Sequence, residues 1–203
     1  MYFLLTFVSG LVILYDMKYK KLESFSTIKS GYAFRGAIMD ETDGKTIVIQ
    51  PKDVISGLDG DFVRIKSASI SERHILERGS VLVTNRGAFC ACVFNERFKA
   101  ITTSGVFVIM LQHDSGITPE YLALYINSDV GQRQIASKQE SMTVPALTIK
   151  QIQELEIPII SIEKQNLLSK AFNLSQRCKD IVLEIQKQNK SLINQVIKGT
   201  ING

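Results

Sequence analysis

Tryptophan is absent from this 203-residue chain, so stacking against a flat ligand would fall to its six tyrosines and ten phenylalanines. Histidine is almost absent: His74 and His113 stand in unlike contexts and read as ordinary surface or core residues. The three cysteines leave an odd count. Cys90 and Cys92 are spaced too closely for the usual zinc pair and no second pair follows. They read as small apolar side chains of a strand, and a reducing, cytoplasmic setting fits. Also missing are a glycine-rich phosphate loop, a His-Glu-x-x-His motif and a nucleophile triad, so no catalytic residue, metal site or cofactor site is nominated. No apolar run reaches the ~20 residues that span a bilayer, and no membrane partner is expected. The longest, Tyr2–Tyr15, lacks the basic start and the cleavage site of a secretory signal.

What is present is ordinary for a globular chain: 45% hydrophobic and 22% charged residues. The net charge of +4 is compatible with nucleic acid without being diagnostic. The length suits one domain with an appended helix. Three segments are expected: an apolar extension over 1–16, a body over 17–158 and a helical region over 159–203. The extension has three open readings, namely translation that begins at Met17, a short interfacial helix, or an extra packed element.

Within the body, Leu22–Lys29 reads as a short strand or helix. A loop over 29–36 follows, in which Lys29 and Arg35 suit phosphates, Ser30 adds a hydroxyl, and Tyr32 and Phe34 are either flat ligand faces or core anchors. Strands are expected at Thr46–Ile49, Phe62–Ile65, Val81–Thr84, Phe89–Phe94, Ala100–Thr103 and Val106–Leu111, the last four continuing one sheet. Asp40, Glu41 and Asp43 read as a solvated turn, and Ser71–Gly79 as a turn or short helix. After the strand at 81–84, Asn85-Arg86-Gly87 presents Arg86, whose fork matches a guanine edge or a phosphate and equally a structural carboxylate. Thr102, Thr103 and Ser104 offer hydroxyls to phosphate or base. Helices are expected from Pro119 to Ile126 and over 128–137, with Gln132, Arg133, Gln134 and Lys138 on a polar face.

A clasp delimited by Pro145 and Pro158 follows, with Thr148 as N-cap of a helix over Ile149–Leu155. From Glu163 the pattern changes to a heptad seam of Leu167, Ala171, Leu174, Cys178, Ile181, Ile185, Gln188, Leu192 and Gln195. Leu168, Phe172, Val182, Ile193 and Val196 widen it, so more than two helices could pack. Gly199 is expected to end the helix. A helix of about 35 residues is about 50 Å long, too long to bury against a body of this size. It calls for a partner helix, although an amphipathic helix lying on its own domain has a similar pattern.

Five short segments stand in this order: Pro119-Glu120-Tyr121-Leu122, Asn127-Ser128, Val144-Pro145-Ala146-Leu147, Leu155-Glu156-Ile157-Pro158 and Glu163-Lys164-Gln165. With the upstream segments 28–34 and 79–87, they resemble the DNA specificity subunit of type I restriction–modification systems over Lys21 to Val196. A full-length member carries two such units, whereas this chain has room for one. Met17 resembles a natural beginning for a member. The resemblance implies an α+β class, a mixed sheet/helix target-recognition domain followed by a long C-terminal coiled-coil helix. It implies a non-catalytic subunit that reads double-stranded DNA and works with a methyltransferase subunit and a restriction endonuclease subunit. S-adenosylmethionine would bind the methyltransferase partner. It places the polar cluster around Lys52 beside DNA, and likewise the small polar loop that holds Ser141 and Thr143. The DNA-contact set expected from residues and resemblance together is Lys29, Ser30, Tyr32, Arg35, Lys52, Asn85, Arg86, Thr103, Ser104 and Ser141. A second specificity chain, as a homodimer, would pair through the seam. The alternative is a truncated or reserve cassette that acts only as an interaction module.

Overall fold

A computed structural model of the chain describes residues 3–8, 11–16, 18–66, 70–138 and 146–201. Phe3–Val8 (β1) and Leu11–Asp16 (β2) pair antiparallel, so the described residues of the extension are strand and not the short helix among its open readings. Tyr19–Lys21 (β3) leads into a 3-10 turn at Leu22–Ser24 and then Ser26–Ser30 (β4). The stretch read as strand or helix is therefore both in succession.

Thr46–Ile49 (β5) is followed by a helix that the sequence did not suggest, Pro51–Ile55 (α1). Five residues are too few to show a helical period, and the start is set locally. Pro51 occupies the first turn, where its missing N–H costs nothing, and the Asp53 carboxylate accepts from Gln50 N–H at 2.8 Å. Val63–Ile65 (β6), Ser80–Thr84 (β7), Ala91–Phe94 (β8), Ala100–Thr102 (β9) and Val106–Leu111 (β10) complete the central strands. Pro119–Asn127 (α2), Asp129–Ser137 (α3), Ile149–Gln153 (α4), Glu156–Pro158 (β11) and Ile162–Ile201 (α5) follow. Thr118, Ser128 and Thr148 cap α2, α3 and α4 with their hydroxyls, as Ser and Thr do when a helix N–H would otherwise be unpaired. Helix α5 runs through Gly199, which therefore does not end it.

The strands expected to form one sheet are divided between two. A four-stranded antiparallel sheet has the order β4-β10-β7-β8, and a three-stranded sheet has the order β6-β5-β9. Strand β9 leaves β8 and β10 and pairs parallel with β5, Ile47 beside Ala100. Parallel pairing joins residues distant in sequence and leaves no local signature.

Every residue of β7 is buried, and its alternation divides the body. Val81 and Val83 face a core with Leu122, Ile126, Ile135, Ile152 and Leu155. Leu82 faces the other way, toward Ile49, Val54, Phe94, Ala100 and Val106. Each fully buried Leu or Ile contributes about 1.5–3 kcal/mol of apolar transfer. A third cluster, Val48, Ile65 and Ile101, receives Tyr32, Phe34 and Ile38.

Several polar residues close edges. Asp40 Oδ1 accepts from Arg64 N–H at 2.7 Å and the Glu41 carboxylate accepts from Lys66 N–H, so these acids satisfy the outer side of β6 instead of forming a merely solvated turn. On edge strand β8, Asn127 Oδ1 accepts from Ala91 N–H at 2.8 Å and its Nδ2 donates to Ala91 O at 2.7 Å. Gln132 Nε2 donates to Phe89 O at 2.8 Å, and Gln134 exchanges two bonds with the Glu156 backbone. The expected polar face of α3 is in part a set of strand surrogates.

Gln165 joins the body to α5. It is 0% exposed: its Oε1 accepts from Thr118 N–H at 2.8 Å, and its Nε2 donates to Gly116 O at 2.7 Å and Ile160 O at 2.9 Å. Beyond Ser169 the described residues of α5 are exposed or nearly so. Gln165→Ala removes the partner of three part-buried backbone groups and empties a fully buried site, and a lost hydrogen bond of this kind costs about 0.5–1.5 kcal/mol. The substitution is expected to lower urea-unfolding stability by about 3 kcal/mol.

Candidate nucleic-acid interface

Two chain segments cross side by side between the sheets. One passes from β4 of the larger sheet to Tyr32, which bridges Thr103 in parallel fashion. The other leaves β9 and turns at Thr103-Ser104-Gly105 into β10, closed by Val106 N–H donating to Thr103 O at 3.0 Å. Gly31 N–H donates to Val106 O at 3.0 Å and Tyr32 N–H to Thr102 O at 2.7 Å. A Cβ on Gly31 would lie 2.1 Å from Thr103 O, so only glycine permits this approach. On the same turn, Gly105 faces the Pro51 ring that opens α1.

Strand β7 ends at the same corner. Asn85 N–H donates to Gly105 O at 3.1 Å, and its Nδ2 donates to Ser104 O at 2.8 Å. Leu147 N–H donates to Asn85 O at 2.9 Å, and Arg86 bridges Ala146. The sequence-derived residues Ser30, Tyr32, Lys52, Asn85, Arg86, Thr103 and Ser104 thus come from separate strand ends brought to one edge of the body. Residues 31–34, 85–86 and 103–104 are distant along the chain and owe this proximity to the pairing of the two sheets.

Their surroundings differ. Lys29, Ser30, Arg35, Lys52, Arg86 and Ser104 are exposed. Among the described residues no carboxylate pairs with Arg86, Lys52, Lys29 or Arg35; the ion pairs there are Lys66 with Asp43 and Lys138 with Glu154. Asn85 is only 8% exposed and spends its amide on the Ser104 turn, so it holds the corner in place. Tyr32 and Phe34 meet edge-to-face at 4.9 Å and pack against the third core cluster, which makes them anchors of the loop. Thr103 is half-buried. Ser141 and Thr143 lie outside the described residues.

The structure adds two neighbours, Arg73 and His74. The His74 ring meets Tyr32 edge-on at 5.2 Å, and Arg73 Nε donates to His74 Nε2 at 3.2 Å. The 3-10 turn at Glu72–His74 carries no periodic signal and lies far from Tyr32 along the chain, so the contact is tertiary.

The cysteines lie away from this edge. Burial raises the Cys90 thiol, and burial together with the neighbouring Cys90 pushes Cys92 up to about 12. Tyr121 and Tyr125 are likewise pushed up to about 12, chiefly by burial. Among the described residues no group of His, Cys, Asp and Glu could hold a metal, and no helix is long and apolar enough to cross a membrane.

The fold is thereby defined as an α+β domain followed by a long helix. A sequence profile described as the type I restriction modification DNA specificity domain matches residues 15–195, and the chain belongs to that family. No curated protein matches. Solved structures share the fold. A chain from a study of complex assembly and conformational transition of the type I R-M system is 16% identical, with a TM-score of 0.67 over 93% of this chain and 45% of that one. The HsdS subunit from Thermoanaerobacter tengcongensis is 15% identical, with a TM-score of 0.59 over 84% of this chain and 40% of its own. The S subunit from M. genitalium is 14% identical, with a TM-score of 0.55 over 81% and 40%. The chain therefore spans less than half the length of these structures.

Two outcomes follow from the geometry. Gly31→Ala is expected to cost about 3 kcal/mol in urea unfolding, because backbone at both crossings must move. Alkylation by iodoacetamide at pH 8 is expected to label exposed Cys178 first, with Cys92 protected until unfolding, because a thiol near 12 is about one part in ten thousand thiolate there.

Proposed function

We propose that the chain is a single-unit specificity subunit that reads one half-site of double-stranded DNA through the strand-end corner and pairs with a second copy through α5. The observation that carries this reading is the combination of an unpaired cationic corner with a helix whose apolar face is uncovered. Leu167 is 68% exposed, Leu174 63%, Ile181 60%, Ile185 51% and Leu192 59%. Ala171 and Cys178, on the same seam, are exposed as well. Forty residues of helix extend about 60 Å, and only its first turns rest on the body.

Arg86 and Ser104 are the side chains best presented to base edges, and Lys52, Lys29 and Arg35 supply backbone contacts. Two copies related by a two-fold axis would read a symmetric, interrupted site, with helix length setting the spacer. A methyltransferase subunit and a restriction endonuclease subunit are the further partners of this reading, with S-adenosylmethionine held by the methyltransferase. This chain would supply recognition and no catalysis, in the cytoplasm.

Selection from a random duplex library, with the methyltransferase subunit present, is expected to return a bipartite palindrome. Recovery of no motif would favour the interaction-module alternative. Arg86→Ala is expected to weaken binding to the selected site about tenfold or more and relax preference at one position, because a bidentate base contact is worth about 1–3 kcal/mol. Removing one heptad from α5 is expected to shorten the preferred spacer or abolish binding; an unchanged spacer would count against the helix as a ruler.

A further inference from the structure

The basic surface continues past Tyr32 onto the Glu72–His74 turn. His74 rests edge-on against Tyr32, and Tyr32 is bridged to Thr103 at the corner. Arg73 Nε donates to His74 Nε2 at 3.2 Å. The terminal nitrogens of the Arg73 guanidinium remain for another acceptor. Lys29, on β4, lines the same small cavity as Arg73 and His74, together with Glu77 and Ser80. Lys29 and Arg73 have no ion-pair partner among the described residues, and two cations against one carboxylate leave the mouth positive.

Ser80 supplies an independent observation. Its hydroxyl is buried, with the residue 2% exposed, and it has no hydrogen-bond partner although it lines this cavity. Buried hydroxyls are ordinarily paired, and an exception calls for a role. The cavity, about 20 Å³, accommodates one water, enough to relay a hydrogen bond from Ser80 to a group at the mouth.

We infer that Lys29 and Arg73, backed by Ser80 and oriented by His74 on Tyr32, form a binding site for one phosphodiester of duplex DNA. The inference rests on the DNA-reading function proposed above and assigns that interface a contact outside the bases. Arg73 donates from its free guanidinium edge, Lys29 adds a second cation, and the water-relayed Ser80 hydroxyl completes the set. His74 is a positioning residue. A phosphate contact fixes register on the duplex and carries no sequence information.

The test uses the full chain and the duplex that the wild-type protein selects. Plots of log affinity against log potassium chloride concentration are compared for wild type, Arg73→Ala, the Lys29→Ala/Arg73→Ala pair, Ser80→Ala and Arg97→Ala. Arg97 is exposed in the β8–β9 connection, at the opposite end of β9 from Thr103. Arg73→Ala is expected to lower the slope by about one and the pair by about two, with the selected sequence unchanged. Ser80→Ala is expected to weaken DNA binding about threefold without lowering urea stability, since it removes an unpaired hydroxyl. Wild-type slope and affinity in Arg73→Ala would overturn the site, as would an equal loss in Arg97→Ala, which would reduce the effect to general charge. Inorganic phosphate that stabilises the wild type but not Arg73→Ala, with the DNA slope unchanged, would assign the site to free phosphate and overturn the DNA contact. If the wild type selects no duplex, the DNA-reading function itself fails, an outcome separate from all of these.

Discussion

The close approach of Gly31 to Thr103 governs the arrangement of the body. At this point two segments leave one sheet for the other, and the distance between them admits no side chain. The hydrogen bonds from Gly31 N–H to Val106 O and from Tyr32 N–H to Thr102 O hold the crossing shut. Once it is closed, the ends of β4, β7 and β9 share an edge, and residues from distant parts of the chain become neighbours. Asn85 then fastens the intervening turn through Ser104 O and Gly105 O. The exposed side chains of this corner are carried by backbone with little freedom, which is the condition for reading a ligand by shape and hydrogen bonding.

A second constraint joins this body to its helix. Gln165 satisfies three backbone groups from two loops while wholly buried, so the first turn of α5 cannot rotate without losing them. Asn127 and Gln134 act in the same manner on β8 and β11. In each case a side-chain amide takes the place of a missing strand neighbour. The chain uses amides where charged groups would be costly to bury and apolar groups would leave backbone unpaired. The seam of α5 has the reverse character: large apolar side chains with nothing from the described body over them.

Much of the element order was legible in the residues. The N-cap Thr148, the first-turn Pro119 and the β-branched runs of β5, β7 and β10 announce their structures locally, and the heptad seam announces a long helix. Helix α1 was not legible, because five residues show no period and its start depends on Asp53 folding back to Gln50 N–H. The extent of α5 past Gly199 was likewise missed: glycine lowers helix propensity but does not forbid the conformation. Of the nominated contacts, Asn85 proved to be buried support and Tyr32 an anchor, roles that depend on which way a strand end faces after the sheets have formed.

The class of the domain, the long helix with its apolar stripe, and the family are readable from the residues, because these reside in local spacing and in the order of short segments. Which sheet β9 joins, which loops share an edge, and that His74 meets Tyr32 emerge with the folded chain. Those facts depend on parallel pairing and chain crossing between distant residues, whose energies come from contacts that no local pattern encodes.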